Sequence, residues 1–179
     1  MKYLKSLNDN DKQALLAIAR CAHVTEVQLL KLITKNRINS YLKEGIILED
    51  RYYHNSNGFT GYKLNEKGKR IIEKAWGFKY FQHSQTLYHD TIIAEKYFEL
   101  SREEQESWKT ETEIKEILDN IKNELETDKK YSAVDGAYRN NDNVDVGFEA
   151  VTSTYCRDKI LNKRNFCSFM GWIYEERRR

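Results

Sequence analysis

Proline is absent from the 179 residues, so no proline-rich linker marks a boundary inside the chain. Cysteine is scarce. Cys21, Cys156 and Cys167 are an odd number, with neither CxxC nor Cys/His spacing. That argues against a disulfide framework and against a zinc site. Small side chains in packed helices are expected instead. The four histidines, His23, His54, His83 and His89, form no metal pattern. No window approaches the roughly 18 consecutive apolar residues of a membrane span. The opening MKYLKSLNDND lacks the apolar core of a signal peptide. These absences predict a cytoplasmic protein with no membrane partner.

The residues that are present describe a well-charged globular chain, 40% hydrophobic and 32% charged, long enough for one large domain or two small ones. The net charge of +2 conceals an asymmetry. Residues 1–83 hold 15 Lys+Arg against 8 Asp+Glu, and residues 84–179 hold 15 against 20. A basic first half predicts a polyanionic partner, here double-stranded DNA. An acidic second half predicts a different task there. The expected domains are 1–83 and 84–179.

In the first half, Leu15, Ile18, Ala19 and Ala22 recur at helical spacing behind Asn8 or Asn10 as N-cap. Thr25 caps a short helix expected to bury Val27, Leu30 and Ile33. Thr34 caps a third helix, KNRINSYLKEG, with Ile38, Tyr41 and Leu42 on one face and Gly45 as its stop. Its other face carries Lys35, Asn36, Arg37, Asn39, Ser40 and Lys43, side chains able to reach phosphates or base edges. Ile46–Tyr53 and Thr60–Leu64 read as a hairpin around HNSNG. Arg51, His54, Asn55 and Asn57 near its tip are further candidates for DNA contact. Asn65 starts a last helix with Ile71, Ile72 and Ala75 inward. The order helix, helix, helix, hairpin, helix, with the stretches LKEGII and GYKLNEKGKRII, resembles the winged helix-turn-helix of prokaryotic DNA-binding proteins. The resemblance implies that the third helix reads DNA and the hairpin is the wing.

In the second half, SQTLYHDTIIAEKYFELS reads as a helix capped near Ser84, and SWKTETEIKEIL as a strand turning helical. KKYSAVDGAYR and VDVGFEAVTSTY read as strands, and CRDKILNKRNFCSFMGWIYEERRR as one closing helix burying Ile160, Phe166, Phe169 and Ile173. The order helix, strand, strand, strand, helix resembles the restriction-endonuclease-like fold with its PD-(D/E)xK motif. The patterns W..E, VDG and FEAV are similar to the replication-relaxation and mobilisation proteins of plasmids and conjugative elements. Those pair a winged helix with a degenerate nuclease-like domain. The fold class expected is therefore α+β, a winged helix-turn-helix followed by a small α/β restriction-endonuclease-like domain.

Carried over by position, Glu95 takes the place of the helical acid, Asp135 that of the magnesium-holding acid and Glu149 that of the second acid. Val134 replaces the proline before Asp135, and Val151 stands where the lysine belongs, two residues after Glu149. A valine can neither stabilise phosphate charge nor activate water. Lys159 or Lys163, on the following helix, is the substitute a working nuclease would need. Three functions follow as expectations. The first is a DNA-binding accessory protein of a mobile element without a cofactor, whose second domain dimerises or recruits a relaxase or replication protein through Trp108, Phe166, Phe169 and Trp172. The second is a magnesium-dependent nuclease or relaxase using Glu95, Asp135, Glu149 and Lys159, with Asp135 and Glu149 as metal ligands. The third is a winged-helix transcription regulator.

Overall fold

The computed structural model describes residues 6–54, 57–153 and 156–179. It is an α+β protein with two compact units, Met1–Tyr97 and Phe98–Arg179. The division falls in the last turn of a helix, not at the expected 83/84 boundary.

In the first unit, α1 (Asp9–Cys21) opens with a capping box. The Asp11 amide donates to the Asn8 side chain at 3.0 Å, and the Asn8 amide donates back to the Asp11 carboxylate at 2.8 Å. Its buried stripe is Ala14, Leu15, Ile18 and Ala19. β1 (Val24–Thr25) leads into α2 (Glu26–Leu29), capped by Thr25, and Thr34 caps α3 (Lys35–Lys43). Ile38 and Tyr41 of α3 are fully buried. Gly45, at φ +62°, turns the chain out of the helix in a region that favours glycine.

β2 (Ile47–His54) and β3 (Asn57–Leu64) pair antiparallel along their whole length, and β1 joins the far side of β3. The sheet order is β1-β3-β2. α4 (Glu66–Trp76) starts at its Asn65 cap and stops at left-handed Gly77. Gly68 lies against the Ile46 carbonyl, where a Cβ would collide with backbone. Alanine is the better helix former by about 1 kcal/mol, yet Gly68→Ala should destabilise the protein by about 1–3 kcal/mol, because overpacking against backbone outweighs propensity. The urea midpoint of unfolding measures it.

α5 (Leu87–Glu99) packs on the hairpin side of this unit: Leu87 fills the space above Gly61, and Tyr88 stacks on Tyr52 with centroids 5.4 Å apart. That contact is why the unit runs on past His83.

The second unit begins with α6 (Arg102–Ser107), capped by Ser101, followed by β4 (Lys109–Thr110) and α7 (Glu111–Asn120). Trp108 is buried and stacks on Tyr138, and its ring occupies the place a side chain at Gly136 would need. β5 (Gly136–Arg139) and β6 (Asp145–Val151) form an antiparallel pair around a turn at Asn140–Asn143. α8 (Arg157–Met170) then crosses over to β7 (Ile173–Arg178), parallel to β6, and the sheet order is β4-β5-β6-β7.

Several expectations need correction. The closing helix ends at Gly171, φ +68°, and the remainder is a strand. The alternation of Ile173, Tyr174 and the charged run suits an edge strand once a glycine breaks the helix. Ile173 is accordingly 51% exposed. The strand expected at Trp108–Thr112 shortens to two residues, because Thr110 caps α7 by accepting from the Glu113 amide. Val27 and Leu30, both expected to be buried, are 72% and 47% exposed, since a four-residue helix has one inward face and Gln28 and Leu29 take it. No helix among the described residues is long and apolar enough to cross a membrane.

Candidate functional site

The basic face of α3 divides into exposed and anchored residues. Lys35, Asn36 and Lys43 are exposed, and Lys35 pairs with Glu26. Asn39 and Ser40 are half-buried, and the Ser40 hydroxyl donates to the Asn36 carbonyl at 2.9 Å. Arg37 points elsewhere. Its Nε donates to Asp11 Oδ1 at 2.6 Å and its Nη2 to Asp11 Oδ2 at 2.5 Å, and Nη2 also reaches the Ser6 carbonyl.

The Arg37 guanidinium also lies over the Tyr41 ring, and the Tyr41 hydroxyl donates to the same carboxylate. Burial works against the Asp11 charge, but the Arg37, Tyr41 and Asn8 hydrogen bonds outweigh it and hold its pKa below the usual carboxylate value. Arg37 therefore fastens the start of α3 to the start of α1, where a base-reading role was expected of it. Asp11, which sequence reasoning did not single out, is the hub.

On the hairpin, Arg51 is exposed and pairs with Glu49 at 2.8 Å. Tyr53, 71% exposed beside it, was not foreseen as a contact residue. Asn55 lies outside the described residues, as do the side chains of His54 and Asn57.

In the second unit the fold brings three charged groups together. Asp135 immediately precedes β5, Glu149 lies in β6, and Lys163 comes from the middle of α8. Asp135 and Glu149 are 0% exposed and Lys163 is 6% exposed. Lys163 Nζ is 2.6 Å from Glu149 Oε1, 2.7 Å from Oε2 and 3.7 Å from Asp135 Oδ1. The Asp135 amide donates to Glu149 Oε2 at 3.2 Å, and the Ala150 amide donates to Asp135 Oδ2 at 2.8 Å. Burial disfavours the Lys163 charge, but Asp135 and Glu149 outweigh it and raise the pKa above the ordinary lysine value.

Lys163 shares its buried stripe with Phe166 and Cys167, whereas Lys159 sits in the first turn and is exposed. Of the two lysines, Lys163 is the one the fold brings to the acids. Val151 remains buried in the strand position. Glu95 belongs to the first unit, and the acid whose field reaches Lys163 is Glu111, the first residue of α7. Glu111 is the glutamate of the W..E pattern, so a signal for it was in the sequence. It also pairs with Lys115 at 2.8 Å.

Carboxylate oxygens suit magnesium, but that ion dehydrates reluctantly and keeps several waters. Here the two acids are closed off from solvent and already bridged by an ammonium group. Among the described residues no three His, Cys, Asp or Glu side chains are placed to hold a metal. This arrangement does not fit magnesium. It is a buried ion cluster that ties α8 to β5 and β6.

Trp108 and Phe166, expected as interface anchors, are core residues. Phe169 is 37% exposed and Trp172 half-buried, packed edge-on to Phe166. Comparison of the chain with protein-family models, curated proteins and solved structures finds no match.

Proposed function

We propose that the chain is a sequence-specific double-stranded DNA-binding accessory protein of a mobile element, serving replication or transfer of a plasmid or conjugative element. The observation that carries the DNA-binding part is α3, a Thr34-capped helix packed on β2, with Lys35, Asn36 and Lys43 exposed. The order α1-β1-α2-α3-β2-β3 and the sheet order β1-β3-β2 support reading the first unit as a winged helix-turn-helix. In that reading α3 enters the major groove and the hairpin, with Arg51 and Tyr53, is the wing. The basic excess of residues 1–83 supports a polyanionic partner.

The mobile-element setting rests on the resemblance of W..E, VDG and FEAV to replication-relaxation and mobilisation proteins. The run α7-β5-β6-α8-β7, with acids before β5 and in β6, supports a nuclease-derived second unit. Its proposed role is to hold a relaxase, a replication protein or a second copy.

Duplex-DNA binding by the whole protein should weaken steeply with salt, and Lys35→Ala should make the log–log salt slope shallower by about 0.9 if Lys35 meets a phosphate. Asn36→Ala should lose about 1–3 kcal/mol on the cognate site if it reads a base. Arg37→Ala and Asp11→Ala should instead lower stability and binding together, since both break the same anchor. Salt-independent binding, or no effect of Lys35→Ala and Asn36→Ala combined, sinks the proposal for α3.

A second reading, a nuclease, is favoured by one observation, the ammonium of Lys163 beside Glu149 and Asp135. Supercoiled plasmid with magnesium or manganese should remain uncut. Nicking that disappears in Glu149→Gln would replace the scaffold role with a catalytic one.

A further inference from the structure

Asp90 of α5 is 0% exposed. Burial alone would raise its pKa, but hydrogen bonds from His23, His89 and Ser84 outweigh that and keep it below the usual value. The carboxyl is therefore an anion inside the first unit. Its partners are His23 Nδ1 at 2.8 Å, Ser84 Oγ at 2.9 Å, His89 Nδ1 at 3.2 Å and the Gln85 amide at 3.3 Å. A buried anion needs a counter-charge, and in this set only an imidazole can supply one.

The other side of His23 identifies which imidazole it is. His23 is 2% exposed, and its Nε2 faces Asp50 Oδ2 at 3.4 Å, without a hydrogen bond to any described group. Asp50 is itself an anion: the Lys63 ammonium, 2.8 Å away, holds its pKa down against a smaller burial effect. A neutral His23 has one ring lone pair. With the proton on Nδ1, that lone pair faces the Asp50 carboxylate. With the proton on Nε2, it faces the Asp90 carboxylate at 2.8 Å. Both neutral forms set a lone pair against an anion in a buried place, whereas the imidazolium donates on both sides.

The ring meets Asp50 on β2, Ser84 ahead of α5 and Asp90 on α5, while Lys63 on β3 pairs with Asp50, His89 on α5 bonds to Asp90, and Cys21 on α1 lies in the fields of Arg20 and Asp90. Burial, opposed by Arg20 and reinforced by the Asp90 charge, pushes the Cys21 thiol well up, so it stays protonated and neutral.

We propose that His23 is held as an imidazolium between Asp90 and Asp50, and that its proton fixes the base of the β2–β3 hairpin to α5. Asp50 and Lys63 sit on the two hairpin strands as diagonal neighbours, Asp50 opposite Gly61 and Lys63 opposite Leu48. Losing the His23 proton removes the attraction to Asp50 and leaves the Asp90 side hydrogen-bonded. The hairpin base is then released while α5 keeps its contact. Imidazole is the side chain whose charge ordinarily changes between pH 5 and 8. If the hairpin is a wing, DNA binding becomes pH-sensitive through a residue that touches no DNA; this last consequence rests on the function proposed above.

Nitrogen NMR of the histidine rings in the whole protein tests the charge without reference to DNA. Both His23 nitrogens should appear protonated at pH 6. In Asp50→Asn, the midpoint of its titration should move to lower pH while His89 and His83 stay as they were. Amide exchange in the hairpin, corrected for the intrinsic pH effect, should quicken as His23 deprotonates and be already fast in Asp50→Asn at pH 6. A ring carrying one proton at pH 6, or a midpoint unmoved by Asp50→Asn, overturns the proposal. Duplex affinity should fall about fivefold or more across the same midpoint, the low end of ordinary site-to-site coupling. If the rings titrate as expected and no duplex binds at any pH, the DNA reading fails and the His23 bridge stands.

Discussion

Lys163→Met should destabilise the second unit by about 3–5 kcal/mol, the cost of leaving buried charge without its partner. The variant keeps most of the side-chain length but removes the Lys163 ammonium that lies within 4 Å of both Glu149 and Asp135. That cost is a large share of the roughly 5–15 kcal/mol that holds an ordinary domain folded. Lys159→Met, one turn earlier and exposed, should change stability by less than about 0.5 kcal/mol. A triple variant with Asp135→Asn, Glu149→Gln and Lys163→Met should recover much of the loss, because it removes the charges together.

The pH dependence has a definite sign. The folded pKa of Lys163 is raised, so its contribution is fully present below the ordinary lysine value of about 10.4 and is lost as pH rises through the folded value. An alkaline loss of stability should therefore be present in the wild type and smaller in the triple variant. Denaturant unfolding followed through Trp108 and Trp172 fluorescence reads both effects. Wild-type stability in Lys163→Met would mean that the cluster is dispensable.

The second large effect concerns where the first unit ends. A fragment of residues 1–97 should fold cooperatively, and a fragment of residues 1–83 should not. The shorter piece loses Leu87 over Gly61, Tyr88 on Tyr52, and Asp90 beside His23. Burying one leucine is worth about 2–3 kcal/mol, and leaving a buried polar group without its hydrogen-bond partner costs about 1–3 kcal/mol. Together these approach the whole stability of a small unit. Circular dichroism with thermal melting distinguishes the two fragments. Equal cooperative melting of both would place α5 outside the unit.

Local signals located most of the helices and the hairpin. Asn8, Thr25, Thr34 and Asn65 are caps where the side chain could be matched to an amide three residues on, a relation that lies within one turn. Gly45 as a stop is equally local. The Asp135 and Glu149 positions were also legible, since an acid before one strand and an acid within the next form a spacing pattern. Their burial was not. Whether such acids line a cleft or sit in a closed ion cluster depends on α8, which places Lys163 fourteen residues beyond Glu149.

The roles of Arg37 and Asp90 were beyond local reading for the same reason. Arg37 looked like one more cation on a basic helix face until Asp11, 26 residues earlier, came within 2.6 Å of it. Nothing local marks Asp90, since its partner His23 is 67 residues away in sequence.

The sequence by itself determined the α+β class, the capped helices, the β2–β3 pairing and the uneven charge of the two halves. Hydrophobic period, capping and turn chemistry act over a few residues and leave their marks there. Tertiary structure alone decided that α5 belongs to the first unit, that the residues after Gly171 pair as a strand beside β6, and which lysine meets the acids. Those outcomes depend on burial of one element by another, a long-range free energy for which the partner's position, not the residue's own neighbours, sets the sign.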